Sequence, residues 1–104
     1  MKQGYKLITV ITNGGYVEDI AAIARKAGAS GGTILSARGT GTADDVQFLG
    51  ITLAPEKDVL LIVAENNAVD NILTAINSIP ELNVPGSGVI YTTDVDRFMV
   101  LGKS

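Results

Sequence analysis

Lys57-Asp-Val-Leu-Leu-Ile-Val-Ala-Glu65 is the stretch on which the fold turns. Its apolar run, Val59 to Ala64, is rich in β-branched and branched aliphatic residues and is bounded by charges. It falls far short of the roughly 20 residues a membrane-spanning helix needs, and it reads as a buried strand. Side chains alternate across a strand, so Val59, Leu61 and Val63 line one face and Leu60 and Ile62 the other. Both sets are apolar. A sheet built around this strand therefore needs cover on both of its faces.

Upstream, Tyr5-Lys-Leu-Ile-Thr-Val-Ile-Thr12 is a second β-rich run, stopped by Asn13-Gly-Gly15. The period then changes: Val17, Ile20, Ala21, Ile23, Ala24 and Ala27 form a helical stripe, with Glu18 and Asp19 in its first turn and Arg25 and Lys26 in its last. Gly28 fits a C-terminal cap. Gly32-Thr-Ile-Leu-Ser-Ala-Arg-Gly39 gives a strand between glycines, and the segment from Thr40 to Glu56 is longer than a compact domain keeps without a use for it.

Downstream, Val69, Ile72, Leu73, Ile76 and Ile79 predict a helix that ends before Pro80. Glu81 to Gly88 is a Pro/Gly turn region. Val89 to Val95 is a further strand, and Phe98 to Leu101 a short tail strand. The order is β-α-β-β-α-β in a single domain over residues 1–104. This is the α+β, ferredoxin-like pattern, with two helices on one face of a four-stranded antiparallel sheet. With two helices for two apolar faces, the simplest cover for the second face is another copy of the chain.

Composition removes most compact chemistry. The 104 residues include no Cys, no His and no Trp, which excludes disulfides, thiolate nucleophiles, thiolate zinc sites and imidazole ligands. The formal charge is −3, and the 8 basic residues are scattered, so no footprint for nucleic acid is present. Met1 to Lys6 lacks the layout of a signal peptide, and a soluble, cytoplasmic protein is expected. Asp44-Asp45 has no third acidic neighbour, so no metal site is assigned. No Ser or Thr has a base at useful spacing, and Asp94 and Asp96 are expected to face solvent. The aromatics do not interleave with basic residues; Phe48, in the long loop, is the one expected to meet a partner.

Two glycine clusters remain, Arg38-Gly-Thr-Gly-Thr42 and Pro85-Gly-Ser-Gly88. Each lets backbone N–H groups approach an anion, and each equally suits a plain turn at a strand end. Neither matches a P-loop or a dinucleotide fingerprint.

Taken with the order of elements, three segments resemble the PII-like signal-transduction proteins over nearly the whole chain. Gly31 to Gly41 is similar to that family's second strand leading into its T-loop, and Phe48 to Val63 to the loop's return into the third strand. Pro85-Gly-Ser-Gly-Val-Ile-Tyr-Thr-Thr-Asp-Val-Asp-Arg97 is similar to its B-loop and last strand. The resemblance implies a homotrimer with clefts between subunits, where an adenine nucleotide binds and reshapes the T-loop, which then docks on a transporter, enzyme or regulator. It places Thr33, Gly39, Gly41 and Val63 on one wall of the cleft, Thr40 and Thr42 at the loop base, and the backbone donors of Gly86, Ser87 and Gly88 opposite.

The departures from the family pattern are as informative. A lysine after the B-loop glycines is replaced by Val89, and two arginines of the last strand by Val100 and Gly102. Each charge-assisted contact to a phosphate is worth about 1.5–3 kcal/mol, so AMP, ADP or a cyclic nucleotide is expected in preference to ATP. Arg38, Arg97 and Lys103 are the candidate substitutes. No tyrosine lies between Thr40 and Pro55, which removes uridylylation of the usual kind.

The sequence thus leads to a non-enzymatic sensor without a cofactor, signalling through loop 40–55 to a protein partner such as a membrane transporter. Two rivals stand beside it: an oligomeric interaction module without a nucleotide site, and a small ferredoxin-like enzyme using Asp94 or Glu65 as base.

Overall fold

The computed structural model describes residues 4–38, 46–48, 51–53 and 56–102. Strand β1 (Tyr5–Asn13) leads through a Gly14-Gly15 turn into α1 (Val17–Lys26) and β2 (Thr33–Arg38). A separate two-stranded ribbon follows, β3 (Val46–Phe48) and β4 (Ile51–Leu53), and then β5 (Glu56–Glu65), α2 (Asn66–Asn77), a 3-10 turn (Pro80–Leu82) and β6 (Gly88–Val95). The main sheet has the order β2-β5-β1-β6, with every neighbouring pair antiparallel. This is the expected ferredoxin-like arrangement, with the run Val59 to Ala64 on an inner strand.

Each helix lays its apolar stripe on one face of the sheet. Val17, Ile20 and Ala24 of α1 and Val69, Ile72 and Ile76 of α2 are buried against Ile8 and Val10 of β1 and Leu60, Ile62 and Ala64 of β5. Ile8, Ile20, Leu60, Ile62 and Ile72 are the largest fully enclosed side chains, each contributing about 1.5–3 kcal/mol through burial. The charges at the two ends of α1 oppose the partial charges of its dipole. In α2 the orphan N–H of Asn66 donates to the Gly4 carbonyl at 2.9 Å, and Ser78 Oγ donates to the Thr74 carbonyl at 2.7 Å. No described helix is long and apolar enough to cross a membrane.

The other face of the sheet has no helix. Leu7 and Ile11 of β1, together with Val59, Leu61 and Val63 of β5, are only partly covered there. Towards the edges, Leu35, Val89 and Tyr91 are 47%, 58% and 49% exposed. The second apolar set read from the sequence is therefore present as an open face within one chain.

The tail departs from expectation. Phe98–Leu101 is not a strand: after a bend at Asp96 the chain runs without regular structure and turns at Leu101-Gly102. A strand needs a free ladder of partners, and the tail joins none of the described sheets. Instead the Phe98 ring packs on Tyr5 with centroids 4.9 Å apart. It caps one corner of the open face while Met99, Val100 and Leu101 stay exposed.

Candidate functional site

Pro85 to Gly88, the stretch that resembles a PII B-loop, is built on a closed turn. Ser87 N–H donates to the Val84 carbonyl at 3.1 Å, with Pro85 second and Gly86 third at φ +85°, the arrangement of a type II turn, in which the third position requires positive φ. Ser87 Oγ donates to the Leu82 carbonyl at 2.6 Å, tying the turn to the 3-10 segment. Gly88 is glycine for a different reason: a Cβ there would overlap the Ile11 carbonyl oxygen and press on Thr12. Of the three residues read as backbone donors, Ser87 thus spends its N–H inside the turn, and Gly88 is demanded by β1.

A row of residues crosses the sheet at this end. Ala37 of β2 stands opposite Lys57 of β5, which stands opposite Asn13 of β1, and Asn13 N–H donates to the Ser87 carbonyl at 3.3 Å. Lys57 Nζ donates to Asn13 Oδ1 at 2.5 Å, and Asn13 Nδ2 donates to the Gly86 carbonyl at 3.3 Å. Beside them, Gly15 N–H reaches Asp58 Oδ2 at 3.4 Å. The next pair outward, Arg38 with Glu56, closes the root of the long loop. The loop root and the B-loop therefore lie at the same end of the sheet.

Thr33 and Val63 lie elsewhere. Thr33 pairs with Leu61, and Val63 follows two residues on along the same face. Thr33 is on the β2 edge and Val63 on the adjoining inner strand β5, whereas Gly86 and Ser87 lead into β6, which Gly88 begins at the opposite edge. Three strand spacings, roughly 14 Å, separate Thr33 from that edge, and Val63, opposite Leu7, lies roughly 20 Å along β1 from Asn13 beside the B-loop. One chain brings together each set but not the two sets. Gly39, Thr40, Gly41 and Thr42, with Asp44 and Asp45, lie outside the described residues.

Positions 89, 100 and 102 supply no charge; Val89 and Val100 are exposed, and Gly102 has φ +69°. Lys57 is a cation of this end that the sequence does not single out, since it reads there only as the border of an apolar run. The same is true of Asn13, which reads as part of a turn. Their partnership appears only once β1 and β5 are set in register. Asp94, a candidate base, is held below the usual carboxyl range by the hydrogen bond from the Lys6 ammonium and then by its charge. That stabilises the carboxylate and makes it a poor proton acceptor. Among the described residues, no group of three or more acidic side chains is placed to hold a metal ion.

The family model described as Nitrogen regulatory protein P-II matches residues 5–103. No curated protein sequence matches the chain. Among solved structures, B. subtilis GlnK is similar with a TM-score of 0.70 and 16% identity, over 89% of this chain and 86% of that one. CPII, a nitrogen regulatory PII-like protein from Thiomonas intermedia K12 solved with ADP, AMP and bicarbonate, gives a TM-score of 0.67 and 20% identity, over 90% and 93%. A PII-like signaling protein from Thermus thermophilus gives 0.64 and 19%, over 91% of each. GlnK has also been solved as its ATP complex, similar at a TM-score of 0.69 and 18% identity, over 88% and 82%.

Proposed function

Since the chain belongs to the nitrogen regulatory protein P-II family, we propose that it is a homotrimeric, non-enzymatic regulator that binds an adenine nucleotide between subunits. AMP, ADP or a cyclic nucleotide is preferred over ATP, and binding is relayed to a protein partner, such as a membrane transporter, through loop 40–55. The observation that supports this reading is the separation of the two sets of residues within one chain. Thr33 on the β2 edge, with Val63 beside it on β5, and Gly86 to Gly88 at the β6 edge are too far apart to share a small ligand within a chain. Edge-to-edge association of copies joins them, and the open apolar face around Leu61 and Tyr91 supplies the driving force.

Ligand preference follows from charge. Relatives are known with ATP and with ADP and AMP. Here Val89, Val100 and Gly102 occupy positions where the family pattern carries cations. Without them the outer phosphates meet a chain of net charge −3, and each missing charge-assisted contact costs about 1.5–3 kcal/mol of affinity. The nucleotide then acts by binding one arrangement of the loop better than others, since only differential affinity shifts an equilibrium.

Calorimetry with AMP, ADP, cyclic AMP and ATP, together with light scattering, tests this. The expected result is a mass of three chains and tighter binding of AMP or ADP than of ATP. A trimer that binds none of the four would favour the interaction module instead, and a monomer that binds none would defeat both.

A further inference from the structure

We propose that Asn13 is a positioning residue of the B-loop, held in its working orientation by Lys57, so that the root of the long loop and the B-loop are joined within each chain. Its role in ligand response rests on the functional reading above, whereas the linkage itself does not.

The chemistry of the three groups fixes the direction of the link. An ammonium has only donors, so the side of the Asn13 amide facing Lys57 Nζ must be Oδ1. The NH2 group is then turned to the other side, where the Gly86 carbonyl accepts from it. Asn13 also donates its own N–H to the next carbonyl, that of Ser87. One residue therefore grips two successive B-loop carbonyls. The peptide between Gly86 and Ser87 is held at both ends, its oxygen by Asn13 Nδ2 and its N–H by the Val84 carbonyl. Gly86, at φ +85°, is the residue that most readily lets this peptide turn over once either hold is lost.

Lys57 is the other anchor. It stands one residue inside the pair Arg38 with Glu56, where β2 and β5 leave the sheet. A displacement of the loop root that carries the ammonium away from Oδ1 leaves the amide free to reverse. Reversal places an acceptor against the Gly86 carbonyl, and the grip becomes a repulsion. The B-loop thus senses the loop root from β5 through β1 without any neighbouring subunit.

Hydrogen exchange of the Ser87 N–H, measured by NMR on the full chain without nucleotide, tests the link. Among the described residues Lys57 makes no hydrogen bond to the B-loop, so a merely local role leaves this amide unmoved. We expect Lys57→Met and Asn13→Ala each to speed its exchange by roughly three- to tenfold, the loss of one hydrogen bond, and the double variant to add little to Asn13→Ala alone. Asn13→Asp keeps the pairing to Lys57 and removes the donor to Gly86, and it is expected to speed exchange as well, whatever happens to the fold of Lys57→Met. Exchange at the Ile72 amide in the core serves as the control for global stability. Ser87 exchange in Lys57→Met equal to wild type, or unaltered in Asn13→Asp, overturns the proposal. Because the readout uses no ligand, absence of nucleotide binding in calorimetry defeats the functional reading and leaves this result standing.

Discussion

Gly88 is set against Ile11 so closely that any side chain at position 88 would collide with the Ile11 carbonyl oxygen. The contact marks where β6 joins β1, at the last residue of the B-loop. Gly88→Ala must push the two strands apart, and overpacking of this kind costs about 1–3 kcal/mol. Denaturant unfolding is expected to show a lowered midpoint with an unchanged slope. A midpoint equal to wild type would mean that the strand start yields freely.

Lys6 and Asp94 are direct cross-strand partners on β1 and β6. The Asp94 carboxyl titrates below the usual 3.8, chiefly through the Lys6 hydrogen bond and secondarily through its charge. A carboxyl with a lower value folded than unfolded stabilises the fold above the unfolded value and loses that contribution as pH falls through the folded one. The pair is exposed, so its contribution is small and screened by salt. NMR titration of the Asp94 carboxyl is expected to move back towards 3.8 in Lys6→Met. An unmoved midpoint would show that the ion pair does not form in solution.

Tyr91 and Leu35 stand on opposite margins of the uncovered sheet face. A carboxylate placed there must be desolvated if another chain covers the face, at a cost of several kcal/mol. Tyr91→Glu and Leu35→Glu are each expected to reduce the mass seen by light scattering to that of one chain, with helical circular dichroism retained. Assembly undisturbed by both substitutions would place the interface elsewhere.

Val89, the first residue after the B-loop glycines, is exposed. Restoring a cation there with Val89→Lys is expected to raise ATP affinity by about ten- to a hundredfold, the worth of one charge-assisted phosphate contact. AMP affinity, with fewer charges to gain from, rises less. Equal gains for ATP and AMP would indicate a general effect of net charge.

The fold was legible because its signals are long and periodic. The run Val59 to Ala64 announces an inner strand, and the spacings of Ile20 with Ala24 and of Ile72 with Ile76 announce the helices that cover one side of it. The ribbon of β3 and β4 was not, since three-residue strands within a long connection are too short for any period to show. The tail reads as a strand but is none, because apolar character alone does not provide an edge to pair with. At the site, the glycines were found but not their separate reasons: Gly86 serves a turn and Gly88 a close approach. The pairing of Asn13 with Lys57 is not legible in the sequence, since it depends on register between residues 44 positions apart.

The proposed division of the ligand site between Thr33 on β2 and the B-loop before β6 has a consequence for mixtures of chains. In the proposed trimer each chain makes two partial clefts and no whole one, so damage at either edge of every copy abolishes all the sites in a ring. A chain damaged only at Thr33 and one damaged only at the B-loop, co-assembled, complement each other. Where the sound edge of one meets the sound edge of the other, one working cleft forms in each mixed ring. Binding restored by mixing two inactive proteins is a property that no single-chain site can have.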